Sequence, residues 1–217
     1  PVGFSAADIT YDSASATLGT LTATSNPLVY TASLTPIAAT TDAANLITVG
    51  TGWTDAQGNA PSSVSSSANY TIDTVRPTVV VTLDDAALLV GDVATVTFTF
   101  SEAPVGFSAA DVTYDSSSAA LGILTATADP LVYTASLTPT AATADAVNVI
   151  TVGTSWTDQA GNAPAASSSS ANYTIDTVRP TVVVTLDDAA LQIGDVATVT
   201  FTFSEAPVGF SSADITY

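Results

Sequence analysis

The side chains of this protein that could do chemistry are nearly all carboxylates. The chain holds 20 Asp and Glu residues against two basic residues, which gives a net charge of −18. Carboxylate, amide and carbonyl oxygens are the ligands that hard divalent cations such as calcium prefer. Cys and His are absent, which excludes thiol nucleophiles, Ser-His-Asp triads and ordinary zinc sites. These residue types therefore favour the binding of calcium.

The same composition disfavours several other functions. Nucleic acid and anionic membranes attract Lys and Arg, so we expect no nucleic-acid partner and no membrane insertion. No run of about 18 apolar residues is present. Asp84 and Asp85 resemble a general acid–base dyad, but adjacent residues of a strand point to opposite faces. We therefore expect no enzymatic activity.

Both basic residues, Arg76 and Arg179, lie in a recurring DTVRP motif. A guanidinium fixed at this place could pair with a carboxylate of a neighbouring domain. The alternative is an exposed ion pair that contributes about 0–1 kcal/mol to stability. The sequence leaves both interpretations open.

The elements that must position these residues are repeated. PVGFSAADITYD at residue 1 returns as PVGFSAADVTYD at residue 104 and as PVGFSSADITY at residue 207. The period is 103 residues, and 94 of 114 positions are identical between 1–114 and 104–217. A period of this length matches a whole small domain and exceeds the unit of a solenoid. The chain is therefore a tandem array of domains.

Each repeat has the pattern of short strands separated by turn-rich segments. The stretch VATVTFTF alternates apolar and small polar residues with the period of two that is typical of a strand. Strands are predicted at 78–83, 93–100, 111–114, 121–126, 131–137, 147–152 and 171–175. About seven strands in about 100 residues indicate an all-β, immunoglobulin-like β-sandwich.

Proline and turn signals place joints between domains at residues 73–77 and 176–180. The first segment, 1–73, then lacks the first two strands of a domain, and the central domain, 74–176, is complete. The third segment, 177–217, is the first two strands alone. These ends are complementary, so neighbouring chains could join head to tail. The simpler interpretation is a window on a longer periodic chain.

In such a sandwich the loops cluster at two ends, so acidic loops of adjacent domains should meet at a joint. A divalent ion there would neutralise and orient carboxylates that otherwise repel one another. The candidate ligands at the first joint are Asp42, Asp73, Glu102, Asp158 and Asn162. Those at the second joint are Asp84, Asp85, Asp145, Asp176 and Glu205. The alternative is that these residues only close turns, for which TDQAGN is well suited.

Trp53 and Trp156 each precede a Thr-Asp pair. One interpretation is that their indole rings stack against a bound sugar. A sandwich also needs large apolar anchors, and this core role is the favoured interpretation of both residues. Exposed, coplanar indoles would support sugar binding, and buried ones would exclude it.

The motifs D-T-x-x-P at the joint, TVTFTFSEAP and TDxxGN before the last strand occur together. In this combination the chain resembles the bacterial Ig-like repeats of very large secreted adhesins, of the biofilm-associated and RTX-adhesin type. The resemblance covers the whole chain. It implies stalk modules that stand many in a row, are secreted and are often stiffened by calcium.

We therefore expect a structural stalk segment of an extracellular, cell-surface adhesin, with calcium at the joints and adjacent identical repeats as its partners. High negative charge should keep the domains soluble and extended. The alternative is a self-assembling extracellular filament or matrix protein, in which strands of one chain complete the next. The sequence does not indicate an adhesion ligand.

Overall fold

Strands form most of the regular structure in the computed structural model, which describes all 217 residues. The first segment holds β1 (Ile9–Thr10), β2 (Ala16–Leu18), β3 (Thr22–Ala23), β4 (Tyr30–Thr31), β5 (Leu34–Pro36), β6 (Thr41–Asn45), β7 (Thr48–Val49), β8 (Ser65–Ser66) and β9 (Tyr70–Asp73). The central domain holds β10 (Val79–Leu83), β11 (Ala87–Leu88), β12 (Ala94–Phe100), β13 (Val112–Thr113), β14 (Ala119–Leu121), β15 (Thr125–Ala126), β16 (Val132–Pro139), β17 (Ala144–Asn148), β18 (Thr151–Val152), β19 (Ser168–Ser169) and β20 (Tyr173–Asp176). The third segment holds β21 (Val182–Leu186) and β22 (Val199–Phe203).

Helical structure is limited to three short 3-10 helices at equivalent places in the three repeats: Ala6–Asp8, Ala109–Asp111 and Ser212–Asp214. Each begins after a serine whose side chain caps it, in a reciprocal bond with the aspartate at its end. The structure contains no helix with the length and apolar character needed to span a membrane.

The central domain is built from two layers of strands. One layer is the antiparallel sheet β10-β12-β16-β14, to which β15 adds by pairing with β16. The other layer comprises β11-β20-β17 and β13-β18-β19. These two pieces are separate sheets, and within the first of them the pairing of β17 with β20 shifts register between Asp145 and Asn148. The buried Asn148 supports this irregularity by donating its Nδ2 to the carbonyls of Asp145 and Tyr173.

The core lies between the two layers and follows the alternation of the strands. Along β12, Ala94, Val96, Phe98 and Phe100 are buried, and the threonines between them face outward or are half-buried. Successive strand residues point to opposite faces, so a period of two fills one side only. The sixteen core residues are Val79, Val81, Leu88, Ala94, Val96, Phe98, Phe100, Val112, Ala119, Ala135, Leu137, Ile150, Val152, Trp156, Tyr173 and Ile175.

Trp156 anchors an aromatic cluster inside this core. It is fully buried, and its Nε1 donates to the carbonyl of Gly153 at 3.0 Å. Its ring lies edge-on to Phe100, with ring centroids 4.8 Å apart. A buried indole offers no face to a sugar, so the sugar-stacking interpretation of Trp156 is wrong and its core role is the one observed. Its counterpart Trp53 is half-buried against Phe4.

The prediction of tandem, all-β, immunoglobulin-like sandwiches is confirmed, but several strands differ from their predicted bounds. The strand predicted at 147–152 is divided between β17 and β18, which lie in different sheets, and β19 lies in a segment predicted as a turn. The strand predicted at 121–126 is divided into β14 and β15, which both pair with β16. Between them, at Gly122, the chain passes so close to Ser136 that a Cβ would collide with its Oγ. The segment that contains β11 was predicted as a turn. It forms only two residue pairs with β20, in parallel orientation. Two residues are too few to show an alternation of apolar and polar side chains.

The end segments expose apolar side chains that the central domain buries. β21 and β22 pair in the register of β10 and β12, yet Val184 is 54 % exposed whereas its counterpart Val81 is 4 % exposed. In the first segment, the counterpart of the eight-residue β16 is two short strands, β4 and β5. β4 pairs with β3 and β5 with β2, whereas β16 also pairs with β12 along most of its length.

The buried face of β12 should dominate the stability of the central domain. Phe98→Ala should lower the free energy of unfolding by about 3–5 kcal/mol, because it removes a fully buried ring and leaves a cavity. Val80→Thr, on the exposed face of the adjacent strand, should change it by less than about 0.5 kcal/mol. Guanidinium unfolding measures both, and equal effects of the two variants would contradict the two-layer arrangement.

Candidate metal centre

The DTVRP motif at residues 73–77 is fastened to the domains on both sides of the first joint. Thr74 donates its amide to the carbonyl of Thr40 at 2.8 Å and its hydroxyl to the carbonyl of Ile37 at 2.6 Å. Across the joint, Arg76 donates Nη1 to the carbonyl of Ala163 at 2.9 Å. The linker is therefore attached to the first segment by its threonine and to the central domain by its arginine.

The contact of Arg76 differs from the predicted pairing with a carboxylate. The exposed guanidinium reaches a main-chain carbonyl, because the chain that follows the TDQAGN turn passes next to the linker. The arginine thus joins the two domains through a neutral acceptor and leaves the nearby carboxylates without a cationic side-chain partner from the linker.

Three carboxylates converge beside this linker. One oxygen from each of Asp73, Glu102 and Asp158 lies within 4.8 Å of the others. Asp73 ends β9 in the first segment, Glu102 follows β12, and Asp158 lies in the loop between β18 and β19. The cluster therefore takes one carboxylate from the first segment and two from the central domain.

Main-chain pairing brings the loops of Glu102 and Asp158 together. Val105 and Thr157 form an isolated antiparallel bridge, with N–O distances of 2.7 and 3.1 Å. Ser101 donates its amide to the carbonyl of Thr78, which fixes the start of the Glu102 loop against the linker. The position of Glu102 follows from these contacts on both sides of it.

Asn162 holds the third carboxylate and bridges the joint. Its amide nitrogen and its Nδ2 each donate to the Asp158 carboxylate at 2.9 Å, and Nδ2 also donates to the carbonyl of Asp73 at 3.1 Å. Gly161 permits this tight turn, since its φ of 93° lies in a region that residues with a Cβ rarely adopt. Asp158 is only 2 % exposed, so its carboxylate is oriented with little freedom.

The carboxylates of the cluster differ in how readily they ionise. Burial raises the pKa of Glu102, and the negative charges of Asp73 and Asp158 raise it further. Burial also opposes ionisation of Asp158, but the hydrogen bonds from Asn162 and the amides of Ala160 and Gly161 together outweigh it and hold its pKa below the usual range. No hydrogen-bond donor offsets the repulsion felt by Glu102. The cluster is therefore a concentration of negative charge that a cation would relieve.

The structure brings four of the ten predicted ligands together: Asp73, Glu102, Asp158 and Asn162. Asp42, the fifth residue predicted at the first joint, lies outside the cluster. Its carboxylate accepts hydrogen bonds from the Ser15 hydroxyl at 2.7 Å and the Ala44 amide at 3.0 Å, which also lower its pKa. It stabilises a turn within the first segment.

The residues predicted at the second joint are not gathered, and four of them accept hydrogen bonds from other groups instead. Asp84 accepts from Thr95, Asp85 from Ala87, Asp145 from Ser118 and Val147, and Asp176 from Val178. Glu205 lines an open groove of the third segment. Asp176 and Glu205 are the counterparts of Asp73 and Glu102, but residues 177–217 do not include a counterpart of Asp158.

Two contacts of the joint were not anticipated from the sequence, the hydroxyl bond of Thr74 and the Ala163 carbonyl. In both contacts the acceptor is a main-chain carbonyl, and the residue type does not reveal such an acceptor. The sequence offered one indication of the contact, since the DTVRP and GNAP stretches that form its two sides are identical in successive repeats.

The charge of Glu102 should make stability depend on pH in the absence of divalent cations. Because its pKa is raised above 4.5 in the folded state, the folded state holds the proton more tightly than the unfolded state. The stability that Glu102 contributes in this way is fully present below the pKa of the unfolded state. It is lost as the pH rises through the pKa of the folded state. Glu102→Gln should therefore melt higher than the parent at pH 7 in chelator, with a gain that disappears near pH 4.

Glu205→Gln is the matched control, since Glu205 occupies the same loop position without a neighbour equivalent to Asp158. Differential scanning calorimetry in chelator across pH 4–8 makes the comparison. A lower melting temperature for Glu102→Gln at pH 7 would contradict the repulsion inferred from the cluster.

The profile of the bacterial Ig-like domain matches residues 1–72, 73–175 and 176–217. No curated protein sequence matches the chain. A solved structure of FdeC, an adhesin of Escherichia coli, is similar at 14 % identity and a TM-score of 0.35, over 91 % of this chain and 62 % of that one. The chain thus spans less than two thirds of that solved chain. Its three successive matches show that the chain belongs to the bacterial Ig-like domain family.

Proposed function

We propose that this chain is a structural extender of a bacterial surface adhesin, in which calcium bound at the joint sets the angle between successive Ig-like domains. The observation that carries the proposal is the convergence of Asp73, Glu102 and Asp158 from two domains. A site that needs both domains couples their orientation to the presence of the ion.

The donor set fits calcium in both type and size. All three side chains offer carboxylate oxygens, which hard cations prefer. Calcium binds oxygen at about 2.3–2.6 Å, so two ligands on opposite sides of the ion lie at most about 5 Å apart. The oxygens of the cluster lie within 4.8 Å of one another and meet this limit. Calcium would hold Asp73, Glu102 and Asp158, and Asn162 would orient the last of these.

The ion would stiffen the joint because its ligands repel one another without it. Burial is the larger cause of the raised pKa of Glu102, and the negative charges of Asp73 and Asp158 add to it. This repulsion favours any movement that separates Asp73 from the central domain. A bound ion of charge +2 turns the repulsion into a shared attraction and disfavours such movement. The linker contacts of Thr74 and Arg76 leave a residual, weaker constraint when calcium is absent.

An extracellular location suits a joint that binds calcium. Calcium sites of extracellular modules typically bind at about 10⁻⁴–10⁻³ M, a range in which calcium outside the cell is sufficient. The chain has no Cys and so no disulfide, and calcium at the joint would add to the stability that core packing provides. Uniform negative charge keeps neighbouring domains apart and extends the array.

Calcium should lengthen and stabilise the 217-residue chain. Small-angle scattering should show a larger maximum dimension and a narrower spread of shapes in calcium than in chelator. Thermal melting should also shift upward, by an amount equivalent to about 2.7 kcal/mol at a calcium concentration 100 times Kd. Glu102→Gln and Asp158→Asn should lose most of both responses.

Glu205→Gln and Asp55→Asn are the matched controls, because each carries the same change at the equivalent position outside the cluster. Both should retain the full calcium response. Identical scattering and melting of the parent chain in calcium and in chelator would overturn the proposal.

A further inference from the structure

A pair of carboxylates that is separate from the joint cluster lies inside the central domain. Asp115 lies in the turn that follows β13, and Asp145 lies in β17. The Oγ atom of Ser118 lies between them, 2.9 Å from Oδ2 of Asp115 and 2.8 Å from Oδ2 of Asp145. Ser118 is only 4 % exposed, so these three oxygens meet below the surface of the domain.

The hydroxyl of Ser118 cannot satisfy both carboxylates. A serine hydroxyl has one proton, so it donates to one carboxylate at a time. The oxygen of the other carboxylate then faces a lone pair of Oγ at the same short distance. Two negative charges that share one proton leave this group of oxygens with a need for further positive charge, which a cation supplies.

A buried tyrosine hydroxyl without a partner lies at the same place. Tyr173 is 1 % exposed, and its hydroxyl makes no hydrogen bond. Burial raises the pKa of Tyr173, and the negative charges of Asp115 and Asp145 raise it further, because both carboxylates lie close to the hydroxyl. Asn148, opposite Tyr173 in the pairing of β17 with β20, also has a buried and unpaired Oδ1. Buried polar atoms are nearly always paired, so these two atoms point to a ligand.

The first segment has the same arrangement at the equivalent residues. Oγ of Ser15 lies 3.0 Å from Oδ2 of Asp12 and 2.7 Å from Oδ2 of Asp42. The hydroxyl of Tyr70 and Oδ1 of Asn45 are again buried without a partner. The unpaired atoms therefore occur together with the carboxylate pair in both repeats.

From this geometry we infer that each of the two carboxylate pairs binds a magnesium ion within a single domain. In the central domain the ligands are one carboxylate oxygen each of Asp115 and Asp145 and the hydroxyl oxygen of Ser118. Water completes the coordination, since magnesium typically keeps several waters and takes one or two carboxylates from the protein. This site uses no residue of the joint cluster, so it does not rest on the proposed function.

The spacing of the three oxygens fits magnesium better than calcium. Magnesium holds six oxygens at about 2.0–2.1 Å in octahedral geometry, which places neighbouring ligands about 2.8–3.0 Å apart. The four distances from serine to carboxylate in the two repeats, 2.7–3.0 Å, agree with this separation. Calcium at about 2.3–2.6 Å would place octahedral neighbours about 3.3–3.7 Å apart. The side chains would have to move apart to admit the larger ion.

The unpaired atoms are suited to bind the waters of the ion. A groove of about 310 Å³ is lined by Asp115, Asn148 and Thr151, among others, and gives room for water. Water bound to a cation donates its protons outward. The hydroxyl oxygen of Tyr173 and Oδ1 of Asn148 both accept hydrogen bonds. A hydrated magnesium ion therefore provides partners for both of the buried unpaired atoms.

Magnesium binding by the 217-residue chain tests this inference. The measurement uses the Asp158→Asn variant, which lacks one carboxylate of the joint cluster. Equilibrium dialysis in magnesium chloride without calcium should find two ions per molecule. Adding Asp115→Asn should reduce this to one, because an amide oxygen can still accept from the turn but carries no charge. Asp129→Asn is the matched control and should keep both ions, because Asp129 caps a turn through the Leu131 amide exactly as Asn26 caps the equivalent turn.

Tyr173→Phe separates metal binding from a structural role. It removes only an unpaired hydroxyl, so the melting temperature in chelator should not fall. Magnesium binding at the central site should weaken by about 10-fold or more, as is typical when a group that orients metal ligands is lost. Melting in chelator also shows whether Asp115→Asn is folded. The inference would be overturned by a chain that binds no magnesium, by two ions on Asp115→Asn, by unchanged affinity of Tyr173→Phe, or by calcium filling these sites in preference to magnesium.

Discussion

The side-chain amide of Asn162 ties the two domains together, because one Nδ2 atom donates both to the Asp158 carboxylate and to the carbonyl of Asp73. This shared donor fixes the third carboxylate while holding the end of the preceding domain beside it. The Val105–Thr157 bridge brings Glu102 to the same place. The concentration of negative charge at the joint is thus a consequence of neutral contacts, which hold the carboxylates together although they repel.

Apolar packing and acidic side chains lie in different parts of each repeat. The alternating strand β12 and its neighbours form a core that needs no charged groups, and the loops beyond the strand ends carry the acids. The outward threonines and serines leave the faces of the sandwich polar. The hydrogen bonds of Arg76 and Asn162 between the first segment and the central domain accordingly lie at the ends of the domains.

Much of the fold was predictable because periodicity is a strong signal in this chain. VATVTFTF predicts β12 with its correct inner face, and the 103-residue repeat predicts tandem domains. The convergence of Asp73, Glu102 and Asp158 follows from the rule that loops cluster at the ends of a sandwich. The position of Asp42 could not be predicted from this rule, because its carboxylate accepts a hydrogen bond from Ser15, which is distant in sequence. Asp84 and Asp85 instead close their own turns through backbone amides, which residue types do not reveal.

Calcium stoichiometry tests the central claim most directly. Equilibrium dialysis of the 217-residue chain should find one calcium ion per molecule at millimolar free calcium. Asp158→Asn should lose that ion, because it removes one of the three converging carboxylates, and Asp55→Asn should retain it. Equal binding by the parent chain and Asp158→Asn, or no binding by the parent, would contradict the assignment of a metal centre to the joint.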